Sequence, residues 1–96
     1  MNQYKLMTLN KVLSLEAEAE RLKVSKVARG PNGFLTYYKS TKGKLEDPFW
    51  IKKRNGFIAR HLAQFIKNPT YRRLLALNIW AYDPTIKNKQ FKEILG

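Results

Sequence analysis

The stretch DPFWIKKRNGFIARHLAQFIKNP, residues 47–69, decides how this chain is read. Asp47 can accept a hydrogen bond from the exposed amides of a first helical turn, and Pro48 lacks an N–H that would go unpaired there. Beyond that start, Trp50, Phe57, Ile58, His61, Leu62 and Phe65 recur at spacings of three, four and seven. This is one apolar stripe, so a core-facing helix is expected over 48–67. Lys52, Lys53, Arg60 and Lys67 fall mostly away from the stripe, and Arg54 is read at its border, its long stem lying across apolar neighbours. Asn55-Gly56 is the weak point, because a mid-helix glycine costs about 1 kcal/mol relative to alanine and often marks a kink or a close helix crossing.

Proline punctuates the rest of the chain. Gly30-Pro31, Asn68-Pro69 and Asp83-Pro84 repeat the pattern of Asp47-Pro48, a capping or turning residue followed by proline. Upstream, Ser14 is a candidate cap, while Leu6, Leu9, Leu13 and Ala17 also keep helical spacing and leave an earlier start open. Glu16, Glu18 and Glu20 precede Arg21, Lys23, Lys26 and Arg29, an order that complements a helix dipole, and Gly30-Pro31 is read as the stop. The expected architecture is all-α: a compact bundle of about five short helices, at 12–29, 32–40, 48–67, 69–82 and 84–95. Phe34, Leu35, Thr36, Tyr37 and Tyr38 also favour a strand, so a short strand near 33–38 stays open as an alternative. Ninety-six residues without repeats make a single small basic domain, with residues 1–10 read as a candidate flexible tail.

Composition narrows the chemistry. There is no cysteine, one histidine and only seven acidic residues. Thiol nucleophiles, thiolate metal sites and disulfides are excluded, and a catalytic triad or carboxylate dyad is hard to assemble. No enzyme, metal or cofactor is therefore expected. His61 lies on the apolar stripe and is read as a hydrogen-bonded core residue, and Trp50, Phe57, Trp80 and Tyr82 as packing. The start of the chain lacks the apolar run of a signal peptide, its acidic residues are wrong for a transit peptide, and no stretch approaches a membrane span. A soluble, intracellular protein is expected.

Charge is the strongest global signal. Nineteen Lys and Arg against seven Asp and Glu give a formal net charge of +12, which makes polyanions the natural partners. Between Asp47 and Asp83 there is no acidic residue, whereas an ordinary solvated helix face mixes signs. Arg72 and Arg73 lie in the first turn of the helix expected after Asn68-Pro69, beside exposed amides, as a phosphate site would require. Lys39 and Lys42 flank a basic loop around Gly43.

Three segments, ARGPNGFLTYYKS (28–40), WIKKRNGFIARHLAQ (50–64) and PTYRRLLALNIWAYDP (69–84), carry a resemblance. In Gly33-Phe34 with Tyr38-Lys39, Trp50 with Lys53-Arg54, Phe57 with Ala59-Arg60-His61, and Arg73 with Leu75-Ala76-Leu77, the chain resembles small basic proteins of unassigned function encoded by bacteriophages and other large DNA viruses. The resemblance implies a viral origin, with a place in the host (cytoplasmic or nucleoid-associated) or in a virion, and no particular activity.

The leading expectation is a nucleic-acid-binding protein, DNA or RNA, that contacts phosphates through Lys52, Lys53, Arg54, Arg60, Lys67, Arg72, Arg73, Lys39 and Lys42. The alternative is a virion or inhibitor-like component docking on an acidic protein surface, with Trp50, Trp80 or Tyr82 at the interface.

Overall fold

The computed structural model describes residues 4–84, and these contain four helices and no strand. The helices are α1 (Leu9–Arg21), α2 (Phe34–Ser40), α3 (Pro48–Lys67) and α4 (Tyr71–Ile79). The helix expected over 84–95 lies, apart from Pro84, outside the described residues. α4 packs against both α1 and α3.

α3 has the bounds that its punctuation predicts. Asp47 Oδ1 accepts from the Phe49 amide at 2.9 Å, and Pro48 occupies the first turn. The helix runs unbroken through Gly56. α1 starts at Leu9, within the earlier start that the spacing of Leu6, Leu9, Leu13 and Ala17 allows, but its cap and its end differ from expectation. Its cap is Thr8, whose side chain accepts from the Lys11 amide, while Ser14 lies inside the helix and donates to the Lys11 carbonyl. It stops at Arg21, well before Gly30-Pro31. Lys23 adopts a left-handed φ of 58°, its amide reaching Glu20 O at 3.1 Å, and the Val24 amide reaches Ala19 O at 2.8 Å. These paired bonds form a Schellman stop, sealed by the burial of Val24 and Ala19.

The same device closes two more helices. Lys42 (φ 57°) ends α2 with bonds to Lys39 O and, through the Gly43 amide, Tyr38 O. Ala81 (φ 61°) ends α4 with bonds to Asn78 O and, through the Tyr82 amide, Leu77 O. None of the three left-handed positions is a glycine, although glycine is the usual occupant. The residues between α1 and α2 form successive turns. Gly33 is required where they close: a Cβ there would sit 2.2 Å from Val27 O and 2.3 Å from Ala28 O. The segment whose residues also favour a strand is α2, with Phe34, Leu35 and Tyr38 buried on one side.

The core is aromatic at its centre. Tyr38, Phe34, Trp80, Phe57 and His61 stack in a column, with successive centroids 5.3, 5.0, 4.5 and 4.0 Å apart and interplanar angles near 20°. Around it, Val12, Ala19, Leu75 and Ile79 join α1 to α4, while Ile58, Phe65, Leu77 and Tyr82 join α3 to α4. From Tyr4 onward the stretch expected to be a tail is tied into this core. The Tyr4 ring meets the Tyr82 ring edge-on at 5.3 Å, the Met7 amide donates to Ala81 O at 2.7 Å, and the Tyr38 hydroxyl donates to Met7 O at 2.7 Å.

Candidate nucleic-acid interface

The cations expected to form one phosphate surface divide into two populations. Arg54 belongs to the interior: its relative exposure is 0%. Its Nε donates to Trp80 O at 2.7 Å, Nη1 to Tyr4 O at 3.0 Å, and Nη2 to Lys5 O at 3.2 Å and Ala81 O at 3.0 Å. Trp80 and Ala81 are the cap and the following residue of α4, whose last carbonyls lack partners inside the helix and carry the negative end of its dipole. Arg54 thus caps α4 from another helix and pins the N-terminal segment to the same point. Burial lowers its pKa to about 10, which leaves it charged at neutral pH. A side chain so enclosed presents nothing to a phosphate, and its expected place among the contacts is corrected on that ground.

Arg72 and Arg73 do related work at the surface. Arg72 Nη1 donates to Leu22 O, the cap residue of α1, and Arg73 Nη1 donates to Asn68 O, the cap residue of α3, at 3.1 Å. Arg29 Nε similarly reaches Val24 O at 2.8 Å, just past the end of α1. The cap of α4 is Thr70, whose side chain accepts from the Arg73 amide, so Asn68 does not serve that helix. With Lys23, Ser25, His61 and Thr70, the two arginines border an open cleft of about 520 Å³ between the end of α1 and the start of α4. His61 is half-buried there on the Phe57 ring, and burial, with the nearby positive Arg60, lowers its pKa.

The second population is exposed. Lys52, Lys53, Arg60 and Lys67 all face outward from α3. Phe49, Lys52, Lys53, Gly56 and Arg60 line a shallow depression of about 580 Å³ along this face. At about 100° per residue, Phe49, Lys53, Gly56, Arg60 and Lys67 fall within an arc of about 60°, in a stripe about 27 Å long. Phe49 is 59% exposed, and Lys53 Nζ lies 5.4 Å from its ring centroid. At Gly56 an added Cβ would meet only the tip of Arg60, at 3.5 Å. No neighbouring helix therefore demands this glycine, although it weakens the helix by about 1 kcal/mol.

Phe49 does not figure among the expected contacts. Its signal is a large aromatic set on the cationic side of the wheel, away from the stripe. The remaining expected contacts lie elsewhere. Lys39 Nζ is paired with Glu16 Oε2 at 2.8 Å, and Lys42 occupies the left-handed stop of α2. Glu18 pairs with Arg21, so two members of the acidic cluster on α1 are neutralised within the chain. Trp80 and Tyr82, the alternative's candidates for a partner interface, are buried, and Trp50 is half-buried between Phe34, Tyr37 and Trp80. Among the described residues no three His, Cys, Asp or Glu side chains gather as metal ligands, and no helix is long and apolar enough to cross a membrane.

Comparison of the chain with protein-family models, with curated proteins and with solved structures finds no match. Its functional reading rests on the geometry of α3 and its surroundings.

Proposed function

We propose that the protein binds nucleic acid through its phosphate backbone, using the outer face of α3, with Lys52, Lys53, Arg60 and Lys67 as the principal contacts. A viral or phage source belongs to this proposal on the resemblance alone. The supporting observation is the single sign of the face: four exposed cations with no carboxylate within ion-pair distance among the described residues, where both ion pairs lie on α1 and α2. Such a face suits a phosphate chain, since each neutralised phosphate releases condensed counterions. Arg72 and Arg73 keep N–H donors beyond those on helix caps and serve as accessory contacts. Base-edge reading is minor, because lysines and a lone arginine on an open helix face position a backbone without selecting a sequence.

The test is fluorescence-anisotropy titration of labelled DNA and RNA at several salt concentrations. Four phosphate contacts predict a slope of log K against log salt near about −3 to −4. The triple variant Lys52→Gln, Lys53→Gln, Arg60→Gln should lose most of that slope and at least about ten-fold in affinity with an unchanged melting curve. Affinity that hardly varies with salt, or a variant that binds as well as the parent, would sink the proposal.

A further inference from the structure

We infer that the α3 face takes single-stranded nucleic acid in preference to duplex, with an unpaired base stacked on Phe49. This rests on the nucleic-acid reading above and adds to it the state of the ligand. A duplex hides the faces of its bases and offers phosphates alone. A single strand offers phosphates and π-faces together, and proteins that hold one pair a cationic track with exposed aromatic rings.

Three observations converge on α3. Phe49 is the most exposed aromatic ring among the described residues, at 59%, and it lies in the same depression as Lys52, Lys53 and Arg60. Other exposed apolar side chains, such as Val27 and Ile66, do not line that depression. Lys53 Nζ lies over the ring, 5.4 Å from its centroid. Its flexible stem can yield to a planar base while the ammonium pairs with that nucleotide's phosphate. Gly56 forms the floor between Phe49 and Arg60, open except for the Arg60 tip. A missing side chain lets a ligand backbone come close to the helix, and no protein neighbour otherwise uses the space.

The occupant is specified further by what the depression lacks. Its lining is one aromatic ring, one glycine and three cations, with no neutral polar side chain to read a 2′-hydroxyl. Ribose and deoxyribose strands of the same sequence should bind alike.

The experiment compares a labelled single-stranded oligonucleotide, as DNA and as RNA, with the corresponding duplex DNA, at matched salt and phosphate count. The proteins are the full chain and the variants Phe49→Ala and Phe49→Trp. The expected result is a single-strand preference of about ten-fold, lost in Phe49→Ala and restored in Phe49→Trp, because stacking on one ring is worth that order of affinity. Duplex affinity should be the same in all three proteins. Circular dichroism confirms that the variants stay folded, as expected for a side chain so exposed. Equal affinity for duplex and single strand, a silent Phe49→Ala, or a ten-fold preference between the DNA and RNA strands would overturn the inference while leaving phosphate binding intact. Absence of binding to every nucleic acid would overturn both readings.

Discussion

Lys53 and Arg54 are adjacent in sequence, carry the same charge and sit on the same helix, yet their environments are opposite. Lys53 stands in water beside an exposed ring, and Arg54 is sealed among carbonyls at the end of α4. The difference comes from position on the helix and from the chemistry of the two head groups. A planar guanidinium spreads its charge over several fixed donors and can satisfy a cluster of carbonyls, whereas an ammonium is more strongly hydrated and costs more to strip of water. Basic residues in a small protein therefore need not share one purpose. Part of the +12 holds helix ends, and part faces outward.

This contrast can be broken most severely at Arg54. Arg54→Ala should destabilise the protein by about 3–5 kcal/mol, read from chemical denaturation, because it leaves several buried carbonyls without donors and a cavity beside them. Arg54→Lys should recover less than half of that loss, since one ammonium cannot reach all four acceptors. A loss under about 1 kcal/mol for the alanine variant would mean that the arginine is dispensable inside as well. Arg72→Ala tests the same role at the surface, where water can replace the lost donor, and about 0.5–1 kcal/mol is expected. Lys53→Ala is the opposite arm: stability should stay within about 0.5 kcal/mol of the parent, while the salt slope of nucleic-acid binding falls by roughly one contact.

The smallest effect concerns pH. His61 has its pKa below the usual 6.5 in the folded protein, so below pH 6.5 the unfolded chain takes up the proton more readily. Stability should decline as pH falls from 6.5 through the folded-state value, and His61→Gln should flatten that part of the profile. A profile that rose on acidification would contradict the burial of the ring.

How much of the molecule is legible in the sequence depends on the kind of signal. α3 is readable because Asp47-Pro48, the apolar spacing and Asn68-Pro69 all agree with its bounds. The burial of Arg54 is also within reach. It stands four residues from Trp50 and Ile58, seven from His61 and eleven from Phe65, in the middle of the stripe rather than at its edge, and only its charge argues otherwise. The end of α1 is not readable, because Lys23 fills a position where a glycine would have announced the stop. The helix-capping roles of Arg54 and Arg72 depend on partners 26 and 50 residues away, and local pattern cannot supply such pairings. Phe49 carries a plainer signal, since it is the aromatic residue of α3 that falls off the stripe and among the cations.

The carbonyls gathered by Arg54 have a consequence for the order of synthesis. One side chain joins Tyr4 and Lys5, about fifty residues upstream of it, to Trp80 and Ala81, 26 and 27 residues downstream. Until residues 80 and 81 have left the ribosome, the Met7 amide lacks the Ala81 carbonyl and Arg54 lacks two of its four acceptors. Helical turns can form on the nascent chain, but the Arg54 cluster has to wait for Trp80 and Ala81. A ribosome stalled before that point would display an arginine and an aromatic stripe still open to water, the state most exposed to capture by chaperones and proteases.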